Sequence, residues 1–455
     1  MRADVLVIGS GQAGVPLAVR MAAAGKRVIL AERANLGGTC INVGCTPTKT
    51  MIASARAAHV ARTAGRLGVR AGAVEVDLAA VVDRKEAMVR RWREGVQRRL
   101  EGAGERLTVV HGHARFVGER RIEVGGEVHE AGIVVINTGA RPAVPPIEGL
   151  DQVPWLHNGT AMQVRELPGH LAVLGGGYIG CEFAQMFRRF GARVTIVDHD
   201  EHLLGREDVD VSAEIEAVFR REGIDLRPRA EVERVSGRAG DIALRLAGGE
   251  ELHASHLLVA TGRRANTDDL GCEAGGVALD AKGFVRVDDQ YKTTAPGTYA
   301  VGDVNGGPQF THTAWDDHRI LFDLLLGRSS RGRSGRAIPY TVFTDPQVAG
   351  VGLSEREARA RGIPFELASI PFGNVARAIE VDEPAGILKV IYDPGRDRII
   401  GARIVGAEAG ELIHVFVTLL QADVSPRAIV DAECVHPTFA EGVQSVVMKL
   451  KEYAI

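Results

Sequence analysis

Short apolar runs that end abruptly in small residues recur along this chain. Residues 4–8 (DVLVI) form such a run and stop at Gly9-Ser10-Gly11-Gln12-Ala13-Gly14. A small-residue helical stretch leads to Gly25, and a second run, 28–31, closes on Glu32. The order repeats with 171–174, then Gly175-Gly176-Gly177-Tyr178-Ile179-Gly180, a helical stretch, 193–197 and Asp198. Runs apolar at nearly every position predict strands buried on both faces, as in parallel sheets alternating with helices. Two further runs also end in small turns: 133–136 before Asn137-Thr138-Gly139, and 257–260 before Thr261-Gly262-Arg263. Each reads as a plain strand-to-turn junction or as the strand closing one half.

The glycine spacing gives these units a chemistry. The first glycine makes a tight turn, the second lets backbone approach a pyrophosphate, and the third permits close packing of helix on strand. The helix N-terminus then faces phosphate, and the acid ending the second strand accepts from a ribose hydroxyl. Gly9, Gly11, Gly14 and Glu32 supply these roles once, and Gly175, Gly177, Gly180 and Asp198 supply them again. Gly9 to Glu32 and Gly175 to Asp198 are equal spans of 23 residues. Two such units predict two dinucleotides, FAD and a nicotinamide. A carboxylate at Asp198 favours the 2′-hydroxyl of NADH over the 2′-phosphate of NADPH, and no arginine follows until Arg206.

Composition narrows the setting. A chain of 455 residues has length for about three domains. Net charge is −3, and the basic stretch 84–99 is offset by acids elsewhere, so a nucleic-acid footprint is not expected. Its host stretch, 78–100, reads as a solvated surface helix. The longest apolar runs (5–8, 133–136 and 415–420) fall far short of the roughly 18–20 residues of a membrane span. The N-terminus enters a strand directly, without a signal peptide's apolar block, so a cytoplasmic location is expected.

Five cysteines, at 40, 45, 181, 272 and 434, are too few and too uneven for a secreted disulfide framework. The close pair lies in Gly37-Gly38-Thr39-Cys40-Ile41-Asn42-Val43-Gly44-Cys45-Thr46-Pro47-Thr48-Lys49, just after the first acid. Residues five apart sit about 140° apart on an ideal helix, poorly placed to bond. Gly44 and Pro47 suggest a distorted helix start, where a disulfide is feasible and the helix dipole would lower a thiol pKa. Two buried inert cysteines are the plain alternative. A zinc site has the wrong spacing and no second ligand pair, and no resident metal is expected. Beside a flavin fingerprint, a redox pair is the favoured reading.

With these motifs assembled, the chain resembles the class I pyridine nucleotide–disulfide oxidoreductases along nearly its whole length. GGTCINVGC (37–45) is close to that family's signature, and TYAVGDV (298–304) resembles its second flavin motif. PYTVFTDPQVAGVG (339–352) resembles the start of its dimerisation domain, and HPTFAE (436–441) its acid–base motif. The resemblance implies an α/β fold of two Rossmann-like (FAD/NAD(P)-binding) domains plus a C-terminal α+β dimerisation domain. The expected layout is 1–142 for FAD, 143–265 for NAD(P), 266–333 for the central FAD part and 334–455 for the interface. The proline-rich 141–146 and polar 328–336 read as linkers.

The resemblance also implies roles. Cys45 takes electrons from reduced FAD, and Cys40 is the interchange thiol facing substrate. Lys49 and Glu182 form an ion pair beside the flavin, and Tyr178 gates the nicotinamide pocket. His436 shuttles the proton for Cys40, with Glu441 holding its imidazole. This histidine would come from the partner subunit, implying a homodimer with a shared active site. Without the resemblance, His436 before a proline reads as a loop histidine. FAD contacts are expected at Gly38, Thr39, Lys49, Ala114, Thr138, Gly139, Gly302, Asp303 and Thr311, and nicotinamide contacts at Val232 and Gly262.

Membership within the family turns on details. Dihydrolipoamide dehydrogenases fit the NAD preference, but Thr46 and Thr48 stand where they usually carry Ile and Ser. Cys434 also replaces the first histidine of their HxHP. Asp198 disfavours glutathione reductase. Mercuric reductase is similar at Gly44–Pro47 and Met51-Ile52-Ala53-Ser54, yet the C-terminal 449–455 lacks its cysteine pair. The nearest likeness is to mercuric-reductase-like FAD oxidoreductases, including reactive-chlorine-resistance flavoproteins, with a small-molecule disulfide or metal ion as acceptor. Cys434 is a small buried hydrophobe or a third sulfur for a soft metal. A flavin NADH oxidase or transhydrogenase is the reading from another class, though transhydrogenases of this family lack the first cysteine.

Overall fold

A computed structural model describes residues 1–454. The chain divides into two compact units, one of 1–50, 80–143 and 262–335, the other of the remaining residues.

The first unit is built on a mixed seven-stranded sheet. Its order runs Leu107–His111, Val28–Glu32, Arg2–Ile8, Glu127–Ile136, Arg121–Val124 and Ala114–Gly118, with Thr298–Ala300 also paired to Glu127–Ile136. The strands around Arg2–Ile8 are parallel, in the register Val5↔Val28 and Val5↔Ile133. The apolar runs are explained by burial on both sides. Val5, Val7, Val28 and Leu30 share one core with residues of the helices Gly14–Ala23 and Thr311–Leu325. Leu6, Ile8, Ile29 and Ala31 share the other with Phe116 and Ile122.

The second unit holds a parallel sheet in the order Asp225–Arg227, Arg193–Val197, His170–Leu174 and His256–Val259. An antiparallel sheet of Val232–Arg238, Asp241–Leu246 and Glu251–Ala254 accompanies it. Its C-terminal part is a five-stranded antiparallel sheet, Tyr340–Val342, Gln347–Gly352, Arg398–Gly406, Ile387–Asp393 and Glu366–Pro371. This sheet shares a core with the helices Ala409–Ala422 and Glu441–Val447.

The charged helix spans Leu78–Glu101 and is not solvated all round. Val82, Lys85 and Val89 are buried, spacings that fall on one helix edge. Among the described residues, no helix is long and apolar enough to cross a membrane.

Candidate active site

The two glycine turns are near copies. Gly9 and Gly175 take φ of 103° and 104°, values that L side chains rarely adopt. The amide of Gly9 donates to Ala31 O at 2.8 Å and that of Gly175 to Val197 O at 2.9 Å, so each turn hangs from its second strand. A Cβ on Gly14 would lie 2.0 Å from Gly9 O, and one on Gly180 1.9 Å from Gly175 O. The third glycine thus makes room first for the turn's own carbonyl, with Asn137 Nδ2 next at Gly14 (2.7 Å) and the strand side chain of Val173 at Gly180 (3.4 Å). Around Gly177 the space is open. At Gly11 a Cβ would meet the Asn137 amide at 3.0 Å.

Each acid grips its turn. Glu32 accepts from Ser10 N (2.9 Å), Ser10 Oγ (2.6 Å) and Ala34 N (2.8 Å). Asp198 accepts from Gly176 N (2.7 Å) and Asp200 N (3.2 Å). Both carboxylates are buried, and with two oxygens each they retain acceptor sites beyond these bonds. Beside Asp198 the fold brings an arginine that spacing did not reveal. Arg229 N donates to Asp200 O at 2.8 Å, and the Arg229 guanidinium pairs with Glu201.

Asn137, in a turn singled out by sequence but not assigned a contact, ties this region together. Its amide donates to Gly9 O at 3.2 Å, and its side-chain atoms border Gly11, Gly14 and Gly302. Next to it the Thr138 hydroxyl is buried without a hydrogen-bond partner, as a group awaiting a ligand would be. Thr138 O and Gly139 O accept from Asn266. Asp303 lies in the turn Gly302–Asn305; burial pushes its carboxyl up, against the pull of Arg263 at 3.9 Å. Gly302 N donates to the buried Asp317, which also accepts from Tyr291. Ala114 and Val232 are buried at strand starts, paired in register with Val124 and Leu246. Gly262 (φ 133°) accepts from Ala143 N.

The cysteine segment sits on the first glycine turn. A Cβ on Gly38 (φ 65°) would be 2.7 Å from Gly11 Cα, and Gly37 N donates to Ser10 Oγ at 3.1 Å. Two helices meet here, Gly38–Asn42 carrying Thr39 and Cys40, and Cys45–Thr63 carrying Cys45 and Lys49. The break at Val43-Gly44 resolves the 140° problem, because the two cysteines do not share a helix. Gly44 is required there: a Cβ would lie 2.8 Å from Thr39 O and 3.2 Å from Cys40 Cα. Asn42 Nδ2 donates to Gly38 O (2.9 Å) and Leu36 O (3.0 Å), while its Oδ1 accepts from Arg93 at 2.7 Å.

The two sulfurs are hydrogen-bond neighbours, and Cys45 Sγ lies 3.2 Å from Thr311 Oγ1. The Cys40 thiol is pushed up, first by its hydrogen bond to Cys45 and then by burial. This direction is opposite to the lowering expected from a helix dipole, since the second proton of a touching thiol pair is held against its neighbour's charge. Cys181 and Cys272 are buried and raised by burial, Cys272 to about 11, as befits inert core thiols.

In the second unit, the helix Tyr178–Phe190 directs Tyr178, Glu182, Gln185 and Arg189 along one face. Each meets the segment at the start of the antiparallel sheet. Tyr178 stacks on Tyr340 (centroids 5.6 Å apart, planes at 13°), and Glu182 accepts from Phe343 N at 2.9 Å. Gln185 exchanges two hydrogen bonds with the Asp345 backbone, and Arg189 donates to Asp345 Oδ2 at 2.6 Å and to Glu222 at 2.6 Å. His436 Nδ1 is 2.9 Å from Glu441 Oε1, and Thr438 N donates to Glu441 Oε2 at 2.9 Å. The Thr438 amide first, and His436 second, hold the Glu441 carboxyl below its usual value. The His436 side chain is 68% exposed, so the dyad opens to the surface. Cys434 beside it is half-buried.

Twin dinucleotide turns, a thiol pair seated on the first of them and an outward His–Glu dyad define a flavin- and nicotinamide-dependent disulfide oxidoreductase. The chain belongs to the pyridine nucleotide-disulphide oxidoreductase family: that family's model matches residues 3–317, and its dimerisation domain matches 338–447. Among curated relatives, the probable pyridine nucleotide-disulfide oxidoreductase RclA of Escherichia coli K12 is 35% identical over 98% of this chain and 99% of its own. A mercuric reductase of Streptomyces lividans is 35% identical over 97% of this chain and 94% of its own. A solved structure titled as a Cu(II) complex of the HOCl-induced flavoprotein disulfide reductase RclA from E. coli is also similar. It superposes with a TM-score of 0.91 at 33% identity, covering 99% of this chain and all of that one.

Proposed function

We propose that this enzyme draws an electron pair from NADH by way of FAD and delivers it through Cys40–Cys45 to a disulfide or a metal ion. The observation that carries this reading is the contact of the two sulfurs across the Val43-Gly44 break, on the glycine turn that would hold the flavin nucleotide. When bound, the flavin supplies an acceptor for a nicotinamide hydride and a donor of two electrons to a disulfide. The chain's residues would hold it as follows: the amides after Gly9 face its pyrophosphate, Glu32 a ribose hydroxyl, and Asp303 its polyol chain. The unpartnered Thr138 hydroxyl and the close approach at Gly11 and Gly38 fit such a ligand. Asp198, already turned toward its own glycine turn, favours NADH, and Tyr178 gates the nicotinamide.

Cys45 then serves as the sulfur nearer the flavin and Cys40 as the interchange thiol. A Cys40 thiol that holds its proton needs a base, and the His436–Glu441 dyad is oriented to be one, acting on the partner subunit's copy of that thiol across a homodimer. Lys49 lies beside the flavin in this reading, and the enzyme works in the cytoplasm. The names of the relatives, a mercuric reductase and a protein titled as a Cu(II) complex, favour a soft metal ion as acceptor. Two electrons reduce one disulfide to two thiols, one Hg(II) to Hg(0), or two Cu(II) to two Cu(I).

Anaerobic titration with NADH tests the core of this reading. Wild type is expected to show a long-wavelength thiolate–flavin charge-transfer band that Cys45→Ser abolishes. Direct passage of wild type to fully reduced flavin would instead indicate a flavin oxidase or transhydrogenase without a working disulfide. Turnover with lipoamide, glutathione disulfide, Hg(II) and Cu(II) then ranks the acceptors.

A further inference from the structure

The Tyr178 phenol is tied into a buried polar cluster that neither glycine motif explains. It donates to Glu207 Oε1 at 2.9 Å, while the Tyr340 phenol donates to Glu207 Oε2 at 2.6 Å. Arg403 Nε lies 3.3 Å from the same Oε2, and the side chains of Arg403 and Glu207 are 5% and 2% exposed. Arg403 is fixed in turn by donating to Val351 O (3.0 Å) and Ala402 O (2.8 Å). Burial first, and the Glu207 charge with it, pushes the Tyr178 phenol up, so it remains a donor at any working pH.

A carboxylate this buried is retained at a cost in desolvation unless it is paired and fully hydrogen-bonded. Here the charge is balanced by Arg403 and one oxygen is taken by Tyr340. The other oxygen accepts from the phenol of Tyr178, the first residue of the helix Tyr178–Phe190. We propose that Glu207 is a positioning residue that latches Tyr178, fixing the ring against Tyr340 until an incoming nicotinamide displaces it. The proposal rests on the reading of Tyr178 as the nicotinamide gate. It makes the antiparallel sheet, which carries Tyr340 and Arg403, part of the device that sets nicotinamide affinity.

The test uses FAD-loaded protein, with NAD binding measured by calorimetry and flavin reduction by stopped-flow. Tyr178→Phe keeps the ring and its stacking but deletes the donor. It is expected to bind NAD about tenfold more tightly, the factor that corresponds to about 1.4 kcal/mol. Glu207→Gln is expected to tighten binding several-fold alone and to add nothing in a Tyr178→Phe background, because its effect runs through that phenol. Additive effects would mean a merely structural role and overturn the proposal. Tyr178→Ala separates the two readings. If it alters NAD binding while Tyr178→Phe binds as wild type or more weakly, the gate stands and the latch is wrong. If both bind as wild type, the gate reading has failed and the latch falls with it. Should Glu207→Gln not fold beside an uncompensated Arg403, the two tyrosine variants still decide the matter.

Discussion

Replacing Gly44 by alanine probes whether the break between the two cysteine helices sets the redox behaviour of the pair. The added Cβ would lie 2.8 Å from Thr39 O and 3.2 Å from Cys40 Cα. The first distance is closer than a Cβ is found to anything, and both obstacles are backbone, so no side chain can rotate away. Relief requires the helix Gly38–Asn42 to move off the start of Cys45–Thr63, which draws Cys40 away from Cys45. Overpacking of this kind costs about 1–3 kcal/mol. A bonded sulfur pair cannot accept the separation and two thiols can, so the strain falls on the oxidised form. For a two-electron couple about 30 mV corresponds to 1.4 kcal/mol, so the potential should rise by about 20–65 mV. Equilibration in graded thiol–disulfide buffers, followed by quenching and counting of free thiols, reads this directly. A Gly44→Ala protein that folds, retains flavin and titrates within about 10 mV of wild type would refute the reasoning.

Two further substitutions examine the scaffolds on either side. Gly14→Ala places a Cβ 2.0 Å from Gly9 O, so the first turn must open; FAD content of the purified protein should fall about tenfold or more with far-UV dichroism unchanged. Arg189→Met strands Glu222 and leaves Asp345 to Arg56 alone, which should cost about 3–5 kcal/mol at neutral pH in thermal or urea unfolding. Burial pushes the Asp345 carboxyl up, but Arg189 and Arg56 outweigh it and hold it below its usual value. Its contribution is therefore present above the ordinary carboxylate pKa of about 4 and is lost as pH falls through the lower folded value. The gap between wild type and Arg189→Met should accordingly narrow below about pH 4, and a gap constant from pH 7 to pH 3 would contradict this.

What the sequence revealed and what it hid divide along the range of the interactions. The twin turns were legible because their requirements are local: positive φ at Gly9 and Gly175 and room for a carbonyl at Gly14 and Gly180 depend on a few adjacent residues. The cysteine pair was legible as a pair, and Gly44 marked where helical geometry had to fail. The direction of the Cys40 shift was not, because it depends on a sulfur touching another sulfur rather than on a helix end. Asn137 stood in a recognised turn, yet its contacts with Gly9 and Gly302 lie far along the chain. Glu207 gave no signal, since its partners Tyr340 and Arg403 come from strands well over a hundred residues later.

The stitched face of the helix Tyr178–Phe190 bears on how this fold can be taken apart. Its four polar positions, spaced along one stripe, are answered by a stretch of six residues from Tyr340 to Asp345. Both backbone and side-chain groups take part, so neither strip keeps its bonding if the other is exchanged for an unrelated one. The C-terminal domain is therefore not an interchangeable module. A chimera that swaps it between relatives would need the helix face carried over as well, and recombination points within the family should leave these two strips inherited together.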